Sequence, residues 1–244
     1  MMRRSVWDHW ERPMLRGASL IKMDLRGADL YEADLTGAKL VEADLGRANL
    51  LKADLREADL YDANLRGANL RDATLVEANL SEADLRDAML VEANLNVANL
   101  QGAHLRGANL YRACLIGADL THAETGGTLF SDLDLSAAKG LDTVHHWGPS
   151  TLGIDTLYRS KGRISEVFLR GVGMEENLIT YIPALFAQSS QYYSCFISYS
   201  WADKAFARQL HDTLQSRGIR CWLDEKQMLP GDDQHEQIDR GIRL

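Results

Sequence analysis

Leucine recurs at every fifth position from Leu15 to Leu120, which places 22 leucines in a single register. A second register runs two residues ahead of the leucines, at every fifth position from Ala18 to Ala123. Alanine occupies 21 of its 22 positions, and Met23 is the exception. Asp or Asn most often lies between them, so the repeating unit reads A-(D/N)-L-x-x. A period of five fits neither the 3.6-residue turn of an α-helix nor the two-residue alternation of a flat strand. The chain must therefore bend at fixed intervals and bring its leucines back to a common axis.

Four such units per turn would stack residues that are 20 positions apart, at about the 4.8 Å spacing of adjacent β-strands. One interior column would then contain Leu25, Leu45, Leu65, Leu85 and Leu105. Each leucine buried in this way contributes roughly 1.5–3 kcal/mol. The short polar residues before the leucines suit the bends, because their side chains hydrogen-bond to nearby backbone groups. Only neighbouring coils touch in such an array, so we expect a cap at each end.

The repeat resembles the pentapeptide-repeat family over residues 18–123. This resemblance implies a mainly β protein built as a right-handed quadrilateral β-helix. We predict an N-terminal cap at residues 1–17, which contain Trp7 and Trp10, and the β-helix at residues 18–137. A helical connector at residues 138–190 and a segment of different character at residues 191–244 complete the chain.

Short helices are predicted in the connector because its apolar residues recur at helical spacing. These residues are Ile164, Val167, Phe168, Leu178, Ile179 and Ile182. The pair His145–His146 has no accompanying cysteine or carboxylate cluster, so we expect a structural role and no metal site. Gly171-Val172-Gly173 follows no convincing strand and lacks a correctly spaced third glycine, which argues against a dinucleotide-binding turn.

The last 50 or so residues have the pattern of an α/β domain. Residues 195–199 form a short apolar run that predicts a buried parallel strand, and Ser200 to Asp203 has the form of a helix N-terminus. Phe206, Leu210 and Leu214 recur every four residues, which predicts that helix. Residues 219–224 predict a second strand, residues 229–232 a turn, and Ile238 with Ile242 a second helix. The predicted order is β-α-β-loop-α.

These residues resemble the Toll/interleukin-1 receptor (TIR) domain, which has a flavodoxin-like α/β fold. The family's first motif is matched by Phe196, Ser198, Tyr199 and Asp203. Its second strand and the following loop are matched by Trp222, Asp224, Pro230, Gly231 and Asp232. The resemblance implies that this loop serves self-association or forms one wall of a nucleotide pocket. It also implies other TIR domains as partners, through self-association or hetero-association.

Many bacterial TIR domains cleave NAD at its nicotinamide bond with a glutamate on the helix after the third strand. The sequence ends at Leu244, before that strand, so we expect no catalytic residue in this chain. Glu166, Glu225 and Glu236 lie in other contexts. No cofactor is therefore expected to be required, and NAD would be a substrate only of a complete TIR domain.

Composition and charge exclude several classes of protein. A net charge of −8 and a pI near 5.4 make a general nucleic-acid binder unlikely. No apolar stretch approaches the roughly 18 residues of a membrane span, so we expect a cytoplasmic protein without a membrane partner. Between residues 14 and 123, 17 acidic residues alternate with 12 basic ones, which reads as a solvated surface of mixed charge.

The favoured function is a scaffold or adaptor in signal transduction. The solenoid would dock or sense an unknown protein ligand, and the TIR segment would associate with other TIR domains. One alternative is the regulatory part of a TIR NAD hydrolase in bacterial defence, whose catalytic half is missing here. A second alternative is a DNA-mimicking topoisomerase binder, which would need a continuous acidic face.

Overall fold

The structure, a computed structural model, describes residues 13–187, 195–197, 204–216 and 221–223. The chain divides after Ala184 into two compact units. The first unit contains the five-residue repeats and the short helices that follow them. The second contains the sequence that resembles a TIR domain.

The first unit is a coil in which four repeats make one turn. Parallel β-bridges join residues 20 positions apart, beginning with Met14 and Asp34 and continuing along the whole array. Leu35 N–H donates to the Asp54 carbonyl at 2.8 Å, and Asp54 N–H donates to the Ala33 carbonyl at 2.9 Å. The same two bonds recur in repeat after repeat. The period of five therefore predicts the stacking of the coil correctly.

Leucine and alanine fill the interior of the coil. Every fifth leucine from Leu35 to Leu120 is at most 1% exposed, and every fifth alanine from Ala33 to Ala123 is at most 3% exposed. The positions that vary between repeats lie on the outside, at the residue before each leucine and at the two residues after it. The interior is thus nearly constant, and the chemical differences between coils lie at the surface.

Each corner of the coil is a tight turn that begins at the leucine. Ala38 N–H donates to the Leu35 carbonyl at 2.9 Å, which closes a four-residue β-turn. The third residue of each turn has a positive φ, as at Gly37 with 63°. Residues with side chains hold the same conformation in other coils, including Glu42 at 54° and Val97 at 60°. The regular ladder on both sides of the corner imposes this conformation, because the leucine must return to the interior.

The ladder extends beyond the predicted limits of residues 18–137. It already includes Met14, which was predicted to belong to the N-terminal cap; residues 1–12 lie outside the described residues. After the repeats come four short strands: β1 (Glu124–Thr125), β2 (Leu129–Phe130), β3 (His145–His146) and β4 (Thr151–Leu152). β1 pairs with β3 and β2 with β4, both in parallel. The start of the predicted connector is therefore a further coil whose period has been lengthened by insertions.

Short helices follow this last coil, as predicted. A 3-10 helix spans Leu141–Thr143, and three α-helices span Ile154–Arg159 (α1), Glu166–Gly171 (α2) and Glu176–Ala187 (α3). Most of the predicted apolar stripe is buried, with Phe168 at 0% exposure and Ile179 at 2%. Val167 and Leu178, which share the helical spacing that predicted these helices, are instead 54% and 57% exposed. Each helix turns only one narrow side inward, and these two side chains lie outside it.

Helices α1 and α2 cover the end of the coil. The Thr156 hydroxyl donates to the Phe130 carbonyl at 3.1 Å, and the Ser160 hydroxyl accepts from Leu135 N–H at 3.0 Å. Both side chains are fully buried. The Phe168 ring meets the Phe130 ring edge to face at a centroid distance of 5.4 Å. Part of the predicted connector thus serves as the C-terminal cap. Its side chains form hydrogen bonds with backbone groups that, inside the array, would pair with the following coil.

The second unit contains a parallel β-α-β arrangement, as predicted. Strand β5 spans Cys195–Ile197, helix α4 spans Lys204–Ser216 and strand β6 spans Cys221–Leu223. β5 and β6 pair in parallel with Phe196 opposite Trp222. The predicted loop and second helix lie outside the described residues.

The buried side of α4 contains Ala207, which is 2% exposed. Phe206 and Leu210, whose four-residue spacing predicts the helix, are 66% and 36% exposed. The spacing therefore predicts the helix and does not mark the side that packs. Within the described ranges, no helix combines the length and the apolar character needed to cross a bilayer.

Candidate functional site

The TIR-like motif residues fall into two groups in the structure. Phe196 lies on β5 and Trp222 on β6, where their backbones pair across the parallel ladder. The other predicted positions lie outside the described residues: Ser198, Tyr199, Asp203, Asp224, Pro230, Gly231 and Asp232. The two strands bring the first-motif segment and the second-strand segment side by side. The roles of the nine residues in association or nucleotide binding stay predictions.

The polar residue before each leucine stabilises the wall of the coil in two ways. Its side-chain oxygen accepts the N–H of the residue two positions later, as Asp34 does from Thr36 at 3.0 Å. Asparagines also bond between coils: Asn49 donates to Asp29 at 2.8 Å and Asn69 donates to Asn49 at 3.2 Å. The bends therefore use these residues as the sequence predicts. Many Asp and Asn side chains of the walls therefore form hydrogen bonds that stabilise the fold.

Ion pairs along the walls shift the ionisation of exposed carboxylates. Arg26 donates to Asp24 at 2.7 Å, and these hydrogen bonds lower the pKa of Asp24 to about 2. Hydrogen bonds from Arg56 likewise lower the pKa of Asp54. Both carboxylates are therefore charged across the physiological range. The pairs are solvent-exposed, so salt screens them.

The His145–His146 pair lies at the junction of the last coil and α2. The Thr125 hydroxyl and His146 Nδ1 are 2.9 Å apart, and the His146 ring meets the Phe168 ring at a centroid distance of 5.2 Å. Burial, with a smaller effect of His145, lowers the pKa of His146. A Cβ at Gly171 would overlap the His146 ring, so only glycine fits there. The close approach of His146 explains Gly171, and the sequence alone offered no such reason for that glycine.

One corner of the solenoid carries an arginine on each of five consecutive coils. These residues are Arg26, Arg47, Arg66, Arg86 and Arg106. They occupy the two turn positions after the leucines of one column, and we call this row the arginine edge. Sequence reasoning missed it, because the charges alternate along the chain. Writing the sequence in rows of 20 residues, the length of one coil, would have revealed it.

The charge of the arginine edge is only partly compensated by neighbouring carboxylates. Arg86 pairs with Asp84 at 2.6 Å, and Arg66 lies 3.4 Å from Asp87. Arg47 makes no ion pair with any residue that the structure describes. Arg106 lies over the Trp147 ring at 5.7 Å from the ring centroid, in a cation–π contact. The arginines of the edge therefore differ in their partners: some pair with carboxylates, and Arg106 contacts a tryptophan ring. The charge of Arg47 is the least neutralised by neighbouring groups.

Comparison with protein families identifies two regions of the chain. Pentapeptide repeats match in overlapping segments from residue 15 to residue 124, with eight copies of the family pattern. A TIR domain matches residues 195–244. Both regions coincide with those that the residue patterns predict.

A curated relative matches the C-terminal region. It is 2' cyclic ADP-D-ribose synthase AbTIR of Acinetobacter baumannii (strain 1295743), which is 42% identical over 52 residues. The match covers 21% of this chain and 19% of that protein. This chain thus spans about a fifth of the length of the relative.

Solved structures of pentapeptide repeat proteins match the solenoid. One, from the Arabidopsis thaliana thylakoid lumen, is 38% identical and covers 41% of this chain and 66% of its own, with a TM-score of 0.33. Another, Rfr23 from the cyanobacterium Cyanothece 51142, is 31% identical and covers 48% of this chain and 87% of its own, with a TM-score of 0.31. The chain is a pentapeptide-repeat protein that carries a TIR-domain segment at residues 195–244.

Proposed function

We propose that this protein is a cytoplasmic interaction scaffold in signal transduction. The solenoid docks a protein ligand, and the TIR segment associates with other TIR domains. The observation that carries this proposal is the constant interior between Leu35 and Leu120, which leaves every variable side chain on the outside of a hydrogen-bonded frame. Such a frame holds many side chains at fixed spacing, which suits recognition of an extended protein surface.

The TIR segment supports the second half of the proposal. Phe206 and Leu210 lie one turn apart on α4 and are 66% and 36% exposed. Large apolar side chains gain free energy when a partner removes them from water. A neighbouring TIR domain would cover them, and the loop that contains Pro230, Gly231 and Asp232 would contribute to the same association.

Sedimentation velocity of the full chain over a range of concentrations tests this association. We expect a concentration-dependent assembly that Phe206→Ser weakens by about tenfold, since burial of a phenylalanine contributes roughly 1.5–3 kcal/mol. Val167→Ser is the matched control, because Val167 is also an exposed apolar helix residue but lies in the first unit. A chain that stays monomeric at all concentrations, alone and with an isolated TIR domain, would refute the association.

A second candidate function is regulation of a TIR NAD hydrolase in bacterial defence. The observation in its favour is the 42% identity to the cyclic ADP-ribose synthase over 52 residues. NAD consumption by a complete TIR domain, measured with and without the purified chain, separates the two functions, because only a regulator changes the rate. We expect the chain to leave NAD intact. Turnover of NAD by the chain alone would assign it the enzymatic function, with NAD as substrate.

The DNA-mimic alternative is the least favoured of the three. A mimic of duplex DNA needs a continuous acidic face to replace the phosphates. The arginine edge interrupts the acidic surface on five consecutive coils. Guanidinium groups at these positions would lie unfavourably against the basic DNA-binding groove of a topoisomerase.

A further inference from the structure

The arginine edge is a product of folding. Its five residues are among the 12 basic residues between positions 14 and 123, and the 20-residue turn of the coil collects them on one corner. At about 4.8 Å between coils, five coils extend the edge over roughly 19 Å. The side chains reach into solvent: Arg26 is 65% exposed, Arg66 58% and Arg86 42%.

A groove opens along the N-terminal part of this edge. It has a volume of about 890 Å³ and is lined by Arg26, Arg47 and Arg66, together with Asp24, Asn64 and Asp87. Glycines occupy the turn position beside each of the three arginines, at Gly27, Gly46 and Gly67. At Gly27 nothing lies within 4 Å of the place where a side chain would begin. At Gly46, by contrast, a Cβ would lie 3.1 Å from Asp44 Oδ1 and 3.3 Å from Asn64 Nδ2, so the groove is open at Gly27 and narrower at Gly46.

The three arginines of the groove differ in how far they are neutralised. Arg26 pairs with Asp24 at 2.7 Å and with Asp44 at 3.4 Å, whereas the nearest carboxylate to Arg66 belongs to Asp87 at 3.4 Å. Arg47 forms no ion pair within the described part of the chain. Its aliphatic stem lies against the turn at Gly67, where a Cβ would be 3.5 Å from the Arg47 Cγ. Arg47 is thus an exposed residue whose guanidinium group can donate up to five hydrogen bonds to a ligand.

We infer that this groove and the arginine edge dock an acidic segment of a partner protein; the inference rests on the proposed docking role of the solenoid. Guanidinium groups bind carboxylates through two parallel hydrogen bonds, which gives direction as well as affinity. In an extended peptide, every second side chain points to the same side, so carboxylates on that side lie about 6–7 Å apart. Adjacent coils lie about 4.8 Å apart, and the long arginine side chains can span the difference. Arg47 is the anchor. Arg66 exchanges its 3.4 Å contact with Asp87 for the ligand. Arg26, by contrast, stays bound to Asp24.

A protein segment fits this edge better than a polyphosphate chain does. The groove also contains Asp24 and Asp87, and the whole chain carries a net charge of −8. A continuous polyanion would meet both repulsions along its length. A peptide avoids them, because it can place neutral residues opposite the aspartates and carboxylates opposite the arginines.

Fluorescence anisotropy with a fluorescein-labelled peptide of alternating glutamate and threonine tests the inference on the full chain at low ionic strength. The double variant Arg47→Asn with Arg66→Gln should weaken binding by about tenfold, as expected for two charge-assisted contacts at an exposed site. Asparagine is chosen because Arg47 has a positive φ of 59°, which asparagine tolerates.

The matched control is Arg71→Gln with Arg112→Asn. These residues occupy the same two turn positions on a different corner, Arg112 with a φ of 58°, and their loss changes the net charge equally. The control should leave peptide affinity within about twofold of the original chain. Equal losses in both double variants would show a general charge effect and overturn the inference.

Two further results would also overturn it. One is the absence of peptide binding up to millimolar concentration. The other is displacement of the peptide by an oligothymidylate that binds more tightly through the same arginines, which would assign the edge to nucleic acid. Sedimentation of the same variants separates this inference from the proposed function. If the original chain self-associates but does not bind the peptide, only the inference about the arginine edge fails. If the original chain does not self-associate, the proposed scaffold function fails.

Discussion

Val97 occupies a corner where its backbone φ is 60°, a conformation that β-branched residues rarely adopt. Its side chain is 56% exposed, so little packing compensates for the strain. We expect Val97→Gly to stabilise the protein by about 0.5–1 kcal/mol and to raise Tm by about 2–4 °C. Thermal unfolding followed by circular dichroism measures the shift. Val76→Gly, at a neighbouring turn position without a positive φ, should lower Tm, and a lower Tm for the Val97 variant would contradict the strain.

His146 makes the stability of the C-terminal cap depend on pH. Burial holds its pKa below the ordinary 6.5. Below pH 6.5 the unfolded chain therefore binds a proton that the folded chain does not, and the free energy of unfolding falls. Above 6.5 neither state is protonated at this residue, so its effect is absent. As pH drops below the lowered pKa, both states become protonated and the loss levels off.

Denaturant unfolding between about pH 7.5 and 5 should show this loss, and His146→Gln should reduce it. His145→Gln is the control, because His145 is exposed and adjacent. The paired carboxylates of the walls have lowered pKa values, as at Asp24 and Asp54, and do not titrate in this window. An unchanged pH dependence in the His146 variant would show that another group is responsible.

Among the elements, α1 protects the end of the coil through one buried hydroxyl. Thr156 is fully buried and donates to the Phe130 carbonyl at 3.1 Å. Thr156→Val keeps the shape and removes the hydroxyl. The Phe130 carbonyl then keeps only Gly153 N–H at 2.9 Å, and Leu133 N–H loses its acceptor at 3.5 Å, at a cost of about 1–3 kcal/mol. Thr151→Val, on the exposed side of β4, should change the free energy of unfolding by less than about 0.5 kcal/mol. Equal effects of the two substitutions in urea titrations would argue against this role of Thr156.

The elements also show how far sequence reasoning reaches. The leucine period predicts the four-repeat turn, because an interior that repeats in space repeats in the sequence. It does not predict the further coil after residue 137, where His145 pairs with Glu124 at an offset of 21 residues and Thr151 with Leu129 at an offset of 22 residues. Backbone pairing there persists without the leucine pattern, and backbone hydrogen bonds leave little mark on the sequence.

The same limits apply to the candidate sites. The strand positions of Phe196 and Trp222 follow from short apolar runs of strand length. The packed face of α4 does not follow from spacing, since a four-residue period in Phe206 and Leu210 does not say which surface meets the helix. The arginine edge depends on which residues stack, so it becomes visible only once the 20-residue turn is known.

The solenoid as a whole behaves as a stack of equivalent coils, because each coil bonds only to the coils above and below it. Removing Leu75–Asn94 would delete one full turn and join Thr74 to Leu95 in the correct register. We expect this variant to unfold cooperatively, with an m-value lower by about a tenth. It should also retain peptide binding, since Arg47 and Arg66 stay on adjacent coils.

Removing Leu75–Asn96 is the contrasting deletion, two residues longer. It shortens the interval between Leu70 and Leu100 so that one corner lacks its leucine and its turn. A single defect of this kind costs both interior packing and ladder bonds, so unfolding should occur in two steps or at a much lower denaturant concentration. If the two deletions proved equally stable, the coils would not be in register through their leucines, and the arginine edge would lose its structural basis. The 20-residue turn thus determines both how the protein folds and which charges it presents to a partner.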